Sequence, residues 1–293
     1  MRILNFGSLN LDYVYRVHAF VRPGETVASI GRKTVCGGKG LNQSIAAARS
    51  GAEVWHAGNV GASDGAMLRD ALKDAGVRCE WLRDVPEVSG HTFIQVNDAG
   101  ENSIVLYAGA NHCVDEAQIR TVLDSFGPDT LVMLQNEINL IPAIMKTAKD
   151  RGMKIAVNPS PLSGVDALPL EEADFLFVNR DEAAHLTGSG DVKAMGRRFE
   201  HTRSFITLGS EGAWAVGGGK PEHFQAAFPV RAVDTTGAGD TFMGYTLGLL
   251  SRGMEEAQCM RLAARASSIS VTRIGAAPSI PLLREVEDAE GQG

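Results

Sequence analysis

Nowhere in this chain do 18 apolar residues run together, and the opening stretch MRILNFGSLNLDY carries one basic residue and no long apolar segment. A membrane-spanning helix needs about 18 or more such residues and a secretory leader needs a basic start before an apolar core, so a cytoplasmic protein is expected. Cations are also scarce: 28 Lys and Arg stand against 35 Asp and Glu, a formal net charge of -7. Affinity for nucleic acid or an anionic membrane depends on clustered Lys and Arg, so neither is an expected partner and small molecules are. Only four cysteines are present, Cys36, Cys79, Cys113 and Cys259, far apart and without a C-x-x-C pair. That spacing excludes the usual zinc and disulfide frameworks and predicts reduced, mostly buried thiols.

What the chain has is apolar material, 44% of 293 residues, enough to bury the core of one large α/β domain. Short β-branched runs alternate with amphipathic stretches, the pattern of an α/β fold with a mainly parallel sheet. Strands are predicted at 3–8, 53–60, 130–135, 154–160, 175–179 and 204–210. Helices are predicted near 40–50, 64–76, 139–151, 191–200, 240–252 and 255–273. HTFIQVND and ENSIVLYAG, joined at DAGE, read as a hairpin, and residues 12–38 are extended without helical period. Together, about 12–38 and 90–108 predict a small β-sheet lid over a site. The alternative is an antiparallel edge on the main sheet. The tail EVEDAEGQG reads as frayed.

Four clusters carry chemistry. In DTTGAGDTF, Gly237 and Gly239 precede Asp240 at the opening of a helix. Backbone N–H groups at such a turn suit a phosphate, and a carboxylate beside them suits a base that takes a proton from whatever attacks that phosphate. The plain reading is a helix cap. GSLNLD lies at the carboxyl end of the first strand, where an extended backbone points Asn10 and Asp12 to one side and suits a polyol; a polar turn is the alternative. CGGKGLNQ surrounds Lys39 with glycines but fails the spacing of a nucleotide-binding P-loop, since Gly40 stands where Ser or Thr would bind magnesium. It reads as a close backbone approach to a ligand with Asn42 on the first helical turn, or as an ordinary strand-to-helix turn. In VNRDEAAHLTG, Asn179 and Glu182 share a face of an opening helix, able to reach Mg²⁺ through water or to cap the helix.

These clusters, with PGET, AGENSIVLYAGAN, NPSP, ITLGSEGAWA and SVTRIGAAPSIP in this order from Gly7 to Pro281, resemble the ribokinase family of PfkB-type carbohydrate kinases. The resemblance implies a Rossmann-like body, a lid that also makes a homodimer contact, and transfer of the ATP γ-phosphate to a sugar hydroxyl, with D-ribose the expected acceptor. It implies that Asp240 is the base and that Gly237, Ala238 and Gly239 form the anion hole. Asn10, Asp12, Gly38, Lys39, Asn42 and Glu137 would hold the sugar. Asn179 with Thr207, Gly209, Ser210, Gly212 and Gly239 would face the nucleotide, and Glu182 would help place Mg²⁺. Asp234, Thr236, Ser270, Arg273, Gly275 and Ser279 would surround K⁺, mostly through carbonyls. Two stretches depart from the family pattern, the shortened GASDG at 61–65 and LQNEIN around Glu137, and they leave another sugar or a nucleoside open as acceptor. GASDG also satisfies G-x-S-x-G, so a serine hydrolase using Ser63 with Asp174 and His201 or His223 is a rival. A non-catalytic sugar-binding protein on the same fold is another.

Overall fold

The computed structural model describes residues 1–291. Its first half runs β1 (Arg2–Phe6), β2 (Asn10–Arg16), β3 (Gly31–Gly37), α1 (Lys39–Arg49), β4 (Val54–Gly61), α2 (Ala66–Asp74), β5 (Arg78–Val85), β6 (Gly90–Val96) and β7 (Asn102–Tyr107). The second half continues with α3 (Glu116–Asp124), β8 (Thr130–Gln135), α4 (Ile141–Asp150), β9 (Lys154–Asn158), β10 (Phe175–Asn179), α5 (Arg180–Thr187), α6 (Ala194–Arg198) and β11 (Arg203–Thr207). It closes with β12 (Gly212–Val216), β13 (His223–Ala226), α7 (Ala238–Ser251), α8 (Glu256–Ser270) and α9 (Leu283–Glu290).

Among the described residues, nine strands form one sheet in the order β13-β12-β11-β10-β9-β8-β1-β4-β5, parallel from β11 to β5 and antiparallel where β12 joins β11 and β13. Each central strand is mostly buried and feeds a core on both faces. In β8, Leu131 and Met133 join one cluster with Tyr245, Leu247 and Met260 of the α7 and α8 side, while Val132 and Leu134 join the other with Ile119, Ile144 and Met145 of the α3 and α4 side.

β1 lies between β8 and β4, with the chain leaving β1 toward one side of the sheet and β8 toward the other. Diverging connections open a crevice beyond the carboxyl ends of adjacent strands, and Gly7–Ser8 and Asn136–Glu137 both emerge there. A separate four-stranded sheet, β3-β2-β6-β7, stands over it. The lid is therefore its own sheet rather than an edge of the main one, and β2 pairs parallel with β6, beyond the expected hairpin.

Helix α7 meets α1 along a small-residue stripe. A Cβ at Gly244 would lie 2.5 Å from the Ala46 Cβ and 2.6 Å from the Gln43 carbonyl, and one at Gly248 would lie 2.0 Å from Ser50 Oγ. The two helices run side by side, so Asp240, one turn before Gly244, faces Asn42 and Gln43.

Several expectations are corrected. The tail is helical over Leu283–Glu290: Val286 is buried, Glu285 accepts from the Leu282 N–H, and Glu290 binds Arg261 and Arg265. Gln292 and Gly293 of that tail lie outside the described residues. All four thiols are free, but Cys259 alone is fully buried and Cys36, Cys79 and Cys113 are half-buried. Strands β5, β12 and β13 and helix α3 go beyond the expected elements; β5 carries charged residues on a half-exposed edge, which masks its apolar pattern, and α3 is capped by Asp115.

Candidate active site

The crevice is assembled from three chain segments. Ser8, fully buried just past β1, donates to Glu137 Oε2 at 2.5 Å and accepts from the Gly40 N–H at 3.1 Å. Glu137 also accepts from the Lys39 N–H and the Lys39 Nζ, both at 3.0 Å. Burial pulls the Lys39 ammonium down, but Glu137 and then Asp240 more than offset it, so Lys39 remains charged.

Asn10 and Asp12 share a face of β2, as strand alternation predicts. Asn10 Oδ1 accepts from Asn111 Nδ2 at 2.8 Å, and Asp12 Oδ1 accepts from Thr92 Oγ1 at 2.5 Å. Gly37, opposite Asn10 in the ladder, makes room for Asp12, because a Cβ there would fall 1.9 Å from its Oδ2. Burial raises the Asp12 carboxyl, the Thr92 bond holds it down in part, and Glu137 adds to the rise.

Asp240 sits in the first turn of α7. The N-cap, Gly237, has φ 75, a conformation open to glycine, and a Cβ there would also lie 2.9 Å from Ala276. Of the three turn amides, the Ala238 N–H donates to the Thr235 carbonyl at 3.2 Å, while Gly239 borders open space. Asp240 Oδ2 accepts from Asn42 Nδ2 and Oδ1 from Gln43 Nε2, each at 2.9 Å. Burial pushes its carboxyl up to about 6, against the opposing pull of Lys39, Asn42 and Gln43. Asn42 Oδ1 is buried without a protein partner.

Two cavities meet at this turn. One of 290 Å³ is lined by Lys39, Asn179, Glu182 and Asp240; the other, of 480 Å³, by Gly209, Ser210, Gly212, Phe228, Val230 and Val271. Thr207, Thr235, Ala238 and Gly239 border both. The first presents charge and amides, and the second presents the small and apolar walls that suit a flat ring.

Asn179 and Glu182 form a reciprocal capping box, Asn179 Oδ1 accepting from the Glu182 N–H and Glu182 Oε2 from the Asn179 N–H, both at 2.9 Å. The capping alternative is thus what the side chains do, while both residues still line the polar cavity. Asp234 staples two loops, accepting from the Thr236 N–H at 3.0 Å and the Gly275 N–H at 2.8 Å. Burial raises its carboxyl, but these bonds together leave it below the usual range. The Ser270 carbonyl accepts from the Arg273 N–H at 3.0 Å, and Arg273 Nη1 reaches the Ser279 carbonyl at 3.5 Å. These bonds draw Asp234 to Thr236 and Gly275, and Arg273 to Ser270 and Ser279.

The hydrolase rival fails on topology. Ser63 follows β4 while His223 opens β13, seven strands away, roughly 30 Å at the usual strand spacing. His201 precedes β11 at the opposite end of the sheet, and Asp174 is committed to the Ile155 N–H. In GASDG it is Asp64 that works, gripping the Ser89 N–H and Oγ at the root of the lid.

Sequence reasoning missed Ser8, Gln43, Thr92 and Asn111. Gln43, Ser8 and Asn111 lie inside the motifs of the resemblance, so position in the motif was a signal; Thr92 lies in the hairpin stretch HTFIQVND, whose alternation spoke only of a strand.

Comparison with known proteins adds to this geometry. The pattern of the pfkB family carbohydrate kinases matches residues 2–283. The ribokinase of Bacillus subtilis (strain 168) is 34% identical over 285 residues, covering 96% of this chain and 97% of its own length. The solved ribokinase of Cryptococcus neoformans var. grubii serotype A, in complex with ADP, matches with a TM-score of 0.83 at 32% identity over 98% and 99% of the two chains. Arabidopsis thaliana ribokinase, complexed with ribose and ATP, matches with a TM-score of 0.88 at 27% identity over 98% and 97%.

Proposed function

The chain belongs to the pfkB family of carbohydrate kinases, and from that premise we propose that it is an ATP-dependent ribokinase, converting D-ribose to D-ribose 5-phosphate. The observation that carries this reading is Asp240, a half-buried carboxylate raised to about 6, set at a helix N-terminus where a polar and an apolar cavity join. In the reaction the sugar hydroxyl oxygen attacks the γ-phosphorus, its proton passes to Asp240, and the bond to the bridging oxygen breaks to release ADP. A base with a pKa near the working pH suits this, and the open turn at Gly239 and Lys39 face the charge on the transferred group.

Asn10, Asp12, Gly38, Lys39, Asn42 and Glu137 hold the sugar, with the unpartnered Asn42 Oδ1 free to accept from a hydroxyl. Asn179 and the Thr207 to Gly212 segment hold the nucleotide. Mg²⁺ fits as an ion bound through water and phosphate, since Glu182 keeps one oxygen outside its capping box and lines the polar cavity. When bound, it neutralises charge on the phosphates. K⁺ fits the oxygen-rich loops around Asp234, where it would order the turn leading to Gly237 without touching substrate. A second copy of the chain covers β7, an edge strand whose Ile104, Val105, Leu106 and Tyr107 are all at least half exposed. A cytoplasmic location keeps the four free thiols reduced.

A screen of ADP release over pentoses, hexoses and nucleosides, with Mg-ATP and K⁺, tests the reading. D-ribose should give the highest kcat/KM, and replacing K⁺ by Na⁺ should lower the rate. A better rate with fructose or adenosine would reassign the acceptor, and equal rates in K⁺, Na⁺ and a bulky organic cation would remove the cation site.

A further inference from the structure

Behind Asp240 runs a buried chain of polar side chains that the reaction as described does not use. Gln43 Nε2 donates to Asp240 Oδ1 at 2.9 Å, and Gln43 Oε1 accepts from Gln135 Nε2 at 2.7 Å. The same Gln135 nitrogen donates to Asn5 Oδ1 at 3.0 Å, and Asn5 Nδ2 donates to both the Gly40 carbonyl and Ser44 Oγ at 2.7 Å. Ser44 Oγ meets His56 Nδ1 at 2.8 Å, and His56 Nε2 meets the Gly7 carbonyl at 3.1 Å. Asn5, Gln43, Ser44, His56 and Gln135 are all at most 1% exposed.

The ends of this chain fix its direction. A backbone carbonyl can only accept, so Asn5 must turn its NH₂ to Gly40 and its oxygen to Gln135. Gln135 must then present its NH₂, Gln43 must answer with its oxygen, and the Gln43 NH₂ is left facing Asp240. His56 closes the other end in the same sense. Complete burial holds it neutral, with a pKa lowered to about 4, so Nδ1 accepts from Ser44 and Nε2–H donates to Gly7. Asn158 agrees: its Nδ2 donates to the Phe177 carbonyl at 2.9 Å, turning its Oδ1 toward the Gln43 NH₂, 3.5 Å away. Turning over any one amide would set acceptor against acceptor somewhere along the line, and buried mismatches of that kind cost about 1–3 kcal/mol.

We propose that Gln43, locked by Gln135, is a positioning residue that presents a permanent donor to Asp240 and holds its carboxylate ionised and oriented for the proton of the sugar hydroxyl. The inference rests on the kinase reading above. The charged groups facing Asp240 are Lys39 from α1 and Glu137 from the loop after β8, and neither belongs to the amide chain. A merely structural Gln43 would affect melting temperature alone. A positioning Gln43 also governs the pH dependence of turnover, because a hydrogen bond to the charged form of a carboxyl favours that form.

The test is the pH profile of kcat for D-ribose in the wild type, Gln43→Met and Gln135→Met. Methionine matches the length of glutamine but cannot donate. Gln43→Met should lower kcat about tenfold or more, as misplaced catalytic groups do, and should move the acidic limb to higher pH with little change in KM for ATP. Gln135→Met touches neither Asp240 nor a cavity, yet frees the Gln43 amide to turn over, so a smaller shift in the same direction is expected; it decides the matter if Gln43→Met does not fold. Variants with a lowered Tm but wild-type kcat and an unmoved acidic limb would overturn the proposal. An inactive wild type on every sugar would instead overturn the kinase reading, so the two failures are separable.

Discussion

Asp240 holds two opposed demands in one side chain. Burial favours its neutral form, while Lys39, Asn42 and Gln43 favour the carboxylate, and the balance lies near 6. The sign of the pH dependence follows. A base must be ionised, so kcat/KM should be level above about 7 and fall tenfold per unit below about 6, a limb that Asp240→Asn abolishes along with activity. Asparagine has the shape of aspartate, and Gly237 rather than Asp240 caps α7, so Asp240→Asn should leave the fold and ATP binding intact while lowering kcat by about 10² to 10⁴. Stability depends on pH through the same carboxyl. A carboxyl raised from 3.8 in the unfolded chain to about 6 in the folded one favours folding most below 3.8, and that contribution is lost as pH rises through 6. At pH 7.5 the Tm of Asp240→Asn should therefore be at least close to that of the wild type. An active Asp240→Asn enzyme would place the base elsewhere.

Among the elements, the contact of α1 with α7 decides whether the site exists. Gly244 and Gly248 let the helices approach until Asn42 and Gln43 reach Asp240, and the space a Cβ would need at Gly244 is filled by the Ala46 Cβ and the α1 backbone, neither of which can turn aside. Gly244→Ala should cost about 1–3 kcal/mol by overpacking, read as a lower urea midpoint, and should lower kcat by displacing the bonds to Asp240. Gly248→Ala meets the rotatable Ser50 hydroxyl and should be milder in both. Equal, small effects of the two would mean the helices yield freely. A second element-scale lock joins β11 to α8: Arg203, nearly enclosed, donates to Glu256 at 2.5 Å and to the Gly217 and Pro221 carbonyls. Arg203→Met strands Glu256 with Lys220 alone and should cost roughly 3–5 kcal/mol in chemical denaturation with kcat of the folded fraction unchanged.

For the whole molecule, the lid joins the site to the surface. Its root is held by Asp64 on Ser89, its inner face carries Asn10 and Asp12, and its edge strand β7 turns four large apolar residues to solvent. With a second copy on that edge, Val105→Asp with Leu106→Asp should give monomers in sedimentation velocity and raise KM for the sugar, because a lid without its partner orders Asp12 less well. A wild type that sediments as a monomer at micromolar concentration would remove the dimer.

The sequence alone determined the class of fold and marked the candidate stretches for chemistry. Both are local: strand and helix periods are read within a dozen residues, and GAGD before a helix, Asn10 with Asp12 two apart, and Asn179 with Glu182 three apart each state their geometry in their spacing. The tertiary structure alone decided who partners whom. Gln43 meets Asp240 across 197 residues, Asn10 meets Asn111 across 101, and Ser8 meets Glu137 across 129, and no spacing rule spans such separations. It also decided between readings that spacing left equal, closing Asn179 and Glu182 into a capping box and parting Ser63 from His223 by seven strands. The physical reason is common to all of these. A period or a motif expresses the preferences of neighbours along the chain, whereas the bond a buried amide makes is set by which segments the core brings together.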